Sequence, residues 1–342
     1  GANNTGIGVQ SLAANTTADN NAAVGTQSLL SNTTGTQNVA VGNNTLDANT
    51  TGNSNTALGH NSLSANTTAA NNLAAGNNSL CATTTGCQNT ALGSNAMDAN
   101  TTGDNNVAVG RDALGANTTA DSNTAVGHSA LAANTTGAEN VAIGSQALSS
   151  ITTQGLTTAV GTCALKNTTG AQNTGFGYKA LTTNSSGQCN TALGLCALTA
   201  NTSASYNTAV GHSSMLKTTT GFANTAIGLF SMACNTEGDA SVAIGYESLL
   251  NNTTADSNIA IGCKAMRANT TGHSNTAIGT LALDANTTAD GNTAVGFCAL
   301  SSNTTGANNT AIGNNAMYEG TTTGDFNTMV GVSSGRKMTS GN

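Results

Sequence analysis

The sequence predicts an all-β protein, specifically a parallel β-solenoid in which short coils stack along one axis. Three observations predict this fold: a period of 17 residues, one short β-branched run in every period, and an Asn/Gly-rich turn in every period. Helical repeats are longer, about 33 to 47 residues, and would not place glycine, asparagine and paired threonines in each unit. We therefore expect 20 coils of about 17 residues.

The period is measured from the glycine that closes each run of the type Asn123-Thr-Ala-Val-Gly127. Taking this glycine as position 0, the run occupies positions −4 to −1 and the rest of the coil follows as +1 onward. Twenty such glycines lie between Gly8 and Gly331, and all intervals are 17 residues except Gly161 to Gly177, which is 16, and Gly313 to Gly331, which is 18. The pattern predicts one continuous solenoid over residues 1–331, with 332–342 as a degenerate last coil or segment end.

Each position of the coil has its own chemistry. Asn stands at −4 in 18 of 20 coils, which predicts a ladder of side-chain amides between successive coils. Members of this ladder are Asn38, Asn55, Asn89, Asn123, Asn140, Asn190, Asn224 and Asn275. The glycine at 0 predicts a corner with positive φ or close backbone approach, as at Gly42, Gly59, Gly93, Gly127, Gly194 and Gly279. Leu or Met at +4 is expected to fill the interior.

The composition excludes several classes of protein. The chain of 342 residues has a net charge of −7 and only 8 Lys and Arg, without the basic stripe that nucleic-acid binding requires. No apolar run approaches the roughly 20 residues needed to cross a bilayer, so we expect no membrane insertion. The chain does not begin with Met, and Gly1 lies inside a repeat. We therefore expect a segment of a longer protein.

The direction of the apolar residue at −1, such as Val126, is open at this stage. Neighbouring residues of a strand point to opposite faces, so either Ala at −2 or the residue at −1 faces the interior. If Ala is inside, an apolar stripe lies on the surface, and we expect it to be covered by copies of the same chain in a trimer, dimer or other fibre assembly. If Val is inside, the solenoid is a soluble monomer.

The Asn-Thr-Thr turns match the sequence motif for N-glycosylation in most coils. One hypothesis is that sugars cover this edge; the other is that Asn and Thr serve turn and stacking hydrogen bonds. The matching asparagines are Asn15, Asn32, Asn49, Asn66, Asn100, Asn117, Asn134, Asn167, Asn184, Asn201, Asn252, Asn269, Asn286 and Asn303.

Metal binding and disulfide formation have little support. Asp recurs at +11, where adjacent coils could hold Ca²⁺, but the position is filled too irregularly for a dedicated site: Asp19, Asp104, Asp121, Asp239, Asp256, Asp290 and Asp325. The eight cysteines lack zinc spacing and adjacent same-position partners. We expect free thiols, no metal and no cofactor.

A stripe at position +1 is the candidate for recognition by side chains. The position is highly variable, which indicates exposure, and it includes His128, Tyr178, Tyr246 and Phe297. The aromatic rings could stack on sugar rings of surface glycans; the alternative is a tolerant solvent-facing position. No acid pair, Ser/His/Asp set or phosphate loop stands out from the repeats, so we expect no catalytic residues and no enzyme activity.

The cores Asn123–Gly127 and Asn140–Gly144 resemble the head repeats of trimeric autotransporter adhesins and related repeats of phage tail fibres. The resemblance covers nearly all of residues 1–331 and implies a left-handed β-roll, three chains side by side, and an attachment role on a cell surface or virion. The unit here is longer than the family's, and no coiled-coil stalk is visible. We expect a rigid extracellular or phage-like rod for attachment. The alternative is an ice-binding solenoid that uses ranks of Thr.

Overall fold

The computed structural model describes residues 1–319 and 323–337, and these form a β-solenoid without helices. The chain divides into two units, Gly1–Ala171 (unit 1) and Gln172–Asn342 (unit 2). Unit 1 contains ten strands: β1 Thr5–Ile7, β2 Ala22–Val24, β3 Val39–Val41, β4 Thr56–Leu58, β5 Leu73–Ala75, β6 Thr90–Leu92, β7 Val107–Val109, β8 Thr124–Val126, β9 Val141–Ile143 and β10 Thr158–Val160. Unit 2 contains ten more: β11 Thr174–Phe176, β12 Thr191–Leu193, β13 Thr208–Val210, β14 Thr225–Ile227, β15 Val242–Ile244, β16 Ile259–Ile261, β17 Thr276–Ile278, β18 Thr293–Val295, β19 Thr310–Ile312 and β20 Thr328–Val330.

Within each unit, successive strands pair in parallel and in register. Ala125 of β8 lies opposite Ala108 of β7 on one side and Ala142 of β9 on the other. The same pairing links β1 to β10 in order, and β11 to β20 in order. The predicted parallel solenoid is therefore confirmed. The predicted segment end at 332–342 lies partly outside the described residues.

Backbone pairing extends well beyond the three residues of each strand. The N–H of Thr124 donates to the carbonyl of Asn140 in the following coil at 2.8 Å, whereas the N–H of Gly127 donates to Val109 in the preceding coil at 2.7 Å. Positions +4, +6 and +8 also donate to the following coil, and +2 and −5 to the preceding one. Positions +3 and +7 donate within their own coil, and most of the remaining backbone donors are satisfied by neighbouring coils.

Glycine at position 0 forms a corner that no other residue can form. Gly127 has φ 135°, and a Cβ there would lie 2.6 Å from the carbonyl carbon and oxygen of Gly144. The corner glycines Gly42, Gly59, Gly93, Gly127, Gly194 and Gly279 all have φ between 123° and 142°. This region of φ is essentially restricted to glycine.

Three further positions per coil are left-handed, and the sequence did not predict them. Positions +2, +4 and −5 have φ between 50° and 66° although most of their residues are not glycine. Leu131 at +4, for example, has φ 53° and is fully buried. A left-handed non-glycine residue costs about 1–2 kcal/mol, which burial and inter-coil hydrogen bonds offset. These three residues and the corner glycine together produce the bends of each coil.

The interior of each coil is narrow. It contains Asn at −4, Ala at −2, a small residue at +3, Leu or Met at +4, and in most coils Asn at +7. Leu and Met are the largest buried side chains in nearly every coil, as expected, with Ile151 a further one. A core of so few carbon atoms per coil relies on ladders of amide hydrogen bonds for the rest of its packing.

Candidate functional site

The strands settle which side chains face outward. Ala125 is fully buried, while its neighbours Thr124 and Val126 are half-buried on the outer face. The same order, with −2 inside and −3 and −1 outside, holds in β2 to β19. The alternative with Val inside is therefore excluded. The isolated chain exposes a line of apolar side chains.

We call this line the apolar column: the residues at −1 in each unit. Ten of the twenty are half-buried, like Val126, and the other ten are exposed, for instance by 40% at Val41 and at Ile143. Unit 1 contributes Ile7, Val24, Val41, Leu58, Ala75, Leu92, Val109, Val126, Ile143 and Val160, and unit 2 contributes Phe176, Leu193, Val210, Ile227, Ile244, Ile261, Ile278, Val295, Ile312 and Val330. Parallel strands are about 4.8 Å apart, so the column has no gap within a unit.

The −4 asparagines form hydrogen-bonded columns within each unit. The backbone N–H of Asn140 donates to Oδ1 of Asn123 at 2.9 Å, and the N–H of Asn123 donates to Oδ1 of Asn106 at the same distance. Each Nδ2 mostly donates to a turn carbonyl one coil further, as from Asn106 to Ala120 at 2.8 Å. These amides are buried and fully used, so they belong to the scaffold.

The glycosylation motif coincides with a second ladder, at +7. Nδ2 of Asn134 donates to the carbonyl of Gly137 at 2.8 Å and to Oδ1 of Asn117 at 3.3 Å. A glycan would be attached to this enclosed nitrogen, where the coil has no space. Burial thus favours the alternative, in which Asn serves stacking hydrogen bonds, while glycosylation stays a prediction, at the motif asparagines with no exposed surface: Asn32, Asn49, Asn66, Asn100, Asn117, Asn134, Asn184, Asn201, Asn252, Asn269, Asn286 and Asn303.

Two motif asparagines differ from this pattern. Asn15 is half-buried and donates to the carbonyl of Ala18 at 3.3 Å. Asn167 is exposed, because it lies at +6, in the coil that is one residue short, and Thr168 takes the buried +7 position. Asn167 thus matches the motif without being a rung of the ladder.

The aspartates at +11 accept backbone hydrogen bonds from the preceding coil. Oδ1 of Asp121 accepts from the N–H of Asp104 at 2.7 Å, and Oδ1 of Asp256 accepts from Asp239 at 2.8 Å. Asn53 makes the same bond with an amide oxygen, at 2.7 Å. The column therefore selects an acceptor, which explains its irregular use of Asp. No group of three metal-binding side chains occurs among residues 1–319 and 323–337.

No disulfide joins the cysteines, all of which lie in the described part of the chain: Cys81, Cys87, Cys163, Cys189, Cys196, Cys234, Cys263 and Cys298. Burial raises the pKa of the Cys81 and Cys298 thiols, with nearby carboxylates acting in the same direction. Burial therefore makes these two thiols weak nucleophiles near neutral pH.

The recognition candidates at +1 are exposed. Tyr178, Tyr246 and Phe297 have exposed fractions of 47%, 42% and 49%, and His128 is exposed as well. His128 belongs to unit 1 and the three aromatic residues to unit 2. Tyr178 and Tyr246 are four coils apart, which is about 19 Å at the spacing of parallel strands.

Tyr246 belongs to a polar cluster that sequence reasoning missed. A hydrogen bond with its hydroxyl lowers the pKa of Glu247 and raises that of Tyr246. Nε of Arg267 lies 2.9 Å from Oε2 of Glu247, and Nζ of Lys264 lies 5.9 Å from the Tyr246 ring centre. The signal was available, because positions +1, +2 and +5 of adjacent coils are neighbours in a solenoid.

Comparison with known proteins adds no family. No family model matches the chain, and a search of the curated proteins finds no match. Within the described part of the chain, no helix is long and apolar enough to span a membrane. The fold and the outward columns are therefore the basis for any functional conclusion.

Proposed function

We propose that this chain is a structural and attachment protein: a segment of a rigid extracellular or virion fibre that associates with copies of itself, most simply as a trimer. The observation that carries the proposal is the apolar column, which runs without a gap along each unit. Regular backbone pairing from coil to coil supports stiffness, and a repeated surface suits repeated contacts.

The size of the apolar surface supports self-association. The apolar column is a contiguous line of ten apolar side chains in each unit, all half-buried or exposed, whereas monomers rarely expose contiguous apolar patches larger than a few hundred Å². The neighbouring −3 position adds aliphatic residues such as Val39 and Ile259, exposed by 36% and 38%. The two outward positions together give each unit a continuous outward face for contact with a partner chain.

The test is the molar mass of the full chain in solution, measured by sedimentation equilibrium. We expect about three times 33.4 kDa, and a monomer after the triple substitution Val109→Asp, Val126→Asp and Ile143→Asp, because each carboxylate would be desolvated at the interface. The matched control places three aspartates at exposed positions of the Asn-Thr-Thr turns, by Thr102→Asp, Thr119→Asp and Thr136→Asp. A monomeric parent chain, or equal dissociation of both variants, contradicts the proposal.

A second candidate, ice binding, is favoured by one specific observation. Thr at −3 faces outward, and four successive coils of unit 2 carry it: Thr174, Thr191, Thr208 and Thr225. The rank is broken elsewhere by residues such as Val107 and Ile259, and the apolar column lies beside it. Thermal hysteresis of the full chain, lost on Thr191→Tyr and Thr208→Tyr, would support this function over a fibre.

A further inference from the structure

All nine aromatic residues of the chain lie in unit 2, five Phe and four Tyr. Six large side chains of unit 2 at position +1 form what we call the unit 2 stripe: Tyr178, Leu195, His212, Leu229, Tyr246 and Phe297. The first five belong to five successive coils. The stripe is exposed, by 44% at Leu195 and 42% at Leu229.

Unit 1 shows that the scaffold does not need these side chains. Its residues at +1 include Thr26, Asn43, Asn77, Ser94 and Ser145, and no aromatic residue. The backbone is the same in both units, with equivalent strands and corner glycines. Exposed rings that contribute nothing to the coil are typical of a surface that contacts a ligand.

We propose that the unit 2 stripe binds an acidic polysaccharide lying along the solenoid axis. This inference rests on the proposed attachment function and names the ligand class. Sugar rings have apolar faces that stack on aromatic rings and polar edges that need hydrogen bonds. The stripe offers both, since its rings are accompanied by the Tyr hydroxyls and the imidazole of His212.

The charges beside the two tyrosines point to an acidic sugar. Nζ of Lys179 lies 5.1 Å from the ring centre of Tyr178, and Nζ of Lys264 lies 5.9 Å from that of Tyr246. Two of the chain's 8 basic residues thus lie beside the exposed tyrosines of a protein with net charge −7. A carboxylate on a sugar stacked at either ring would lie near a cation.

The spacing of the exposed rings points to a long ligand. The stacking positions at Tyr178, Tyr246 and Phe297 are four and three coils apart, about 19 and 14 Å, which suits a polymer rather than a monosaccharide.

The same charges argue against a second copy as the occupant of the stripe. Two parallel copies meeting through it would oppose Lys179 to Lys179 and Lys264 to Lys264, and like charges facing each other oppose association. The apolar column contains no charged residue. The two surfaces therefore suit different partners.

Affinity electrophoresis of the full chain tests the proposal, with hyaluronan, alginate or polygalacturonate in the gel and dextran as the neutral polymer. We expect retardation by at least one acidic polymer, weakened by salt, and about a tenfold weaker Kd for the double variant Tyr178→Ala and Tyr246→Ala. The matched control, His60→Ala and His128→Ala, changes the same position in unit 1 and should bind like the parent chain. Lys264→Gln should weaken retardation in the acidic gels only.

Three results would overturn the inference: no retardation in any acidic gel, equal loss in the unit 1 control, or equal retardation in dextran. A fourth is a lower molar mass of the stripe variant, which would make the occupant a second copy. Because the molar mass is also the test of self-association, failure of the proposed fibre and failure of glycan binding are distinguishable. Far-ultraviolet circular dichroism verifies that each variant is folded.

Discussion

At the scale of the residue, the corner glycine shows how the absence of one atom, the Cβ, allows the coil to form. Gly127 combines a φ available only to glycine with so close an approach to the next coil that an added Cβ would lie 2.6 Å from the carbonyl of Gly144. The sequence predicted the corner because the glycine recurs in all 20 coils. It could not predict which of the two causes, φ or close approach, applies. The structure shows that both do.

Gly127→Ala should therefore destabilise the protein by more than the roughly 1–3 kcal/mol of the backbone strain alone, because the new Cβ would overlap Gly144. Thermal unfolding followed by circular dichroism measures the effect. Gly115→Ala is the matched control: no positive φ is found there, and the nearest atom, Oδ1 of Asp98, is at 3.4 Å. The control should be neutral or slightly stabilising, and a similar loss in both variants would contradict the argument.

Asp47 provides a prediction about pH. Its Oδ1 is buried without a hydrogen-bond partner, and burial raises its pKa above the ordinary 3.8. A raised pKa means that the native state binds the proton more tightly than the unfolded state, so stability falls as pH rises through the window just above 3.8. Asp47→Asn removes the charge and should raise the unfolding temperature at pH 7. At about pH 3, where both states are protonated, variant and parent should agree; a gain of the same size at both pH values would show that charge is not the cause.

At the scale of the element, the strands were predictable and the turns were not. The run Thr124-Ala-Val has the alternation and β-branching of a strand, and its bounds in the structure follow the repeat. Left-handed residues such as Leu131 and Ser129 escaped prediction, because a leucine or a serine carries no signal for positive φ. The direction of Val126 remained open for a similar reason: Ala and Val are both apolar.

The sequence leaves the ladder at +7 as one of two alternatives, because Asn-Thr-Thr matches a modification motif and a stacking motif equally well. The residues at position +7 themselves indicated that this position faces inward. Ile151 replaces Asn in one coil, and a glycosylated or exposed position would not accept a fully buried isoleucine. Position-by-position comparison of the exceptions, rather than of the consensus, would have shown that +7 faces inward.

Thr83 interrupts this ladder and makes it testable. Oδ1 of Asn66 is buried without a partner, because the hydroxyl of Thr83 donates instead to the carbonyl of Asn100 at 3.1 Å. Thr83→Asn restores the rung seen one coil earlier, where Nδ2 of Asn66 donates to Asn49 at 2.8 Å. We expect a gain of about 1 kcal/mol in the free energy of unfolding, measured by denaturant titration. Thr85→Asn, exposed in the same turn, is the control, and a gain there as large as at Thr83 would exclude the ladder as its source.

At the scale of the whole molecule, two units share one scaffold but differ in surface chemistry. The fold class was predictable because the period and the turn residues leave little choice. The difference in surface chemistry between the two units was not predicted, although the sequence contains it: the first 171 residues have no aromatic side chain. In a repeat protein the scaffold is specified by what recurs, and recognition by what does not.

The coil-to-coil hydrogen bonds have a consequence for how such a chain can change in length. Most backbone hydrogen bonds of a coil are made with the coil before and the coil after it, so removing one complete coil joins two surfaces that already fit each other. A partial coil leaves donors and acceptors opposite the wrong partners. Viable lengths are therefore quantised in steps of one coil, with a single-residue exception such as the 16-residue interval from Gly161 to Gly177. Duplication or loss of one repeat therefore changes the number of coils by one and leaves the core of the remaining coils unchanged.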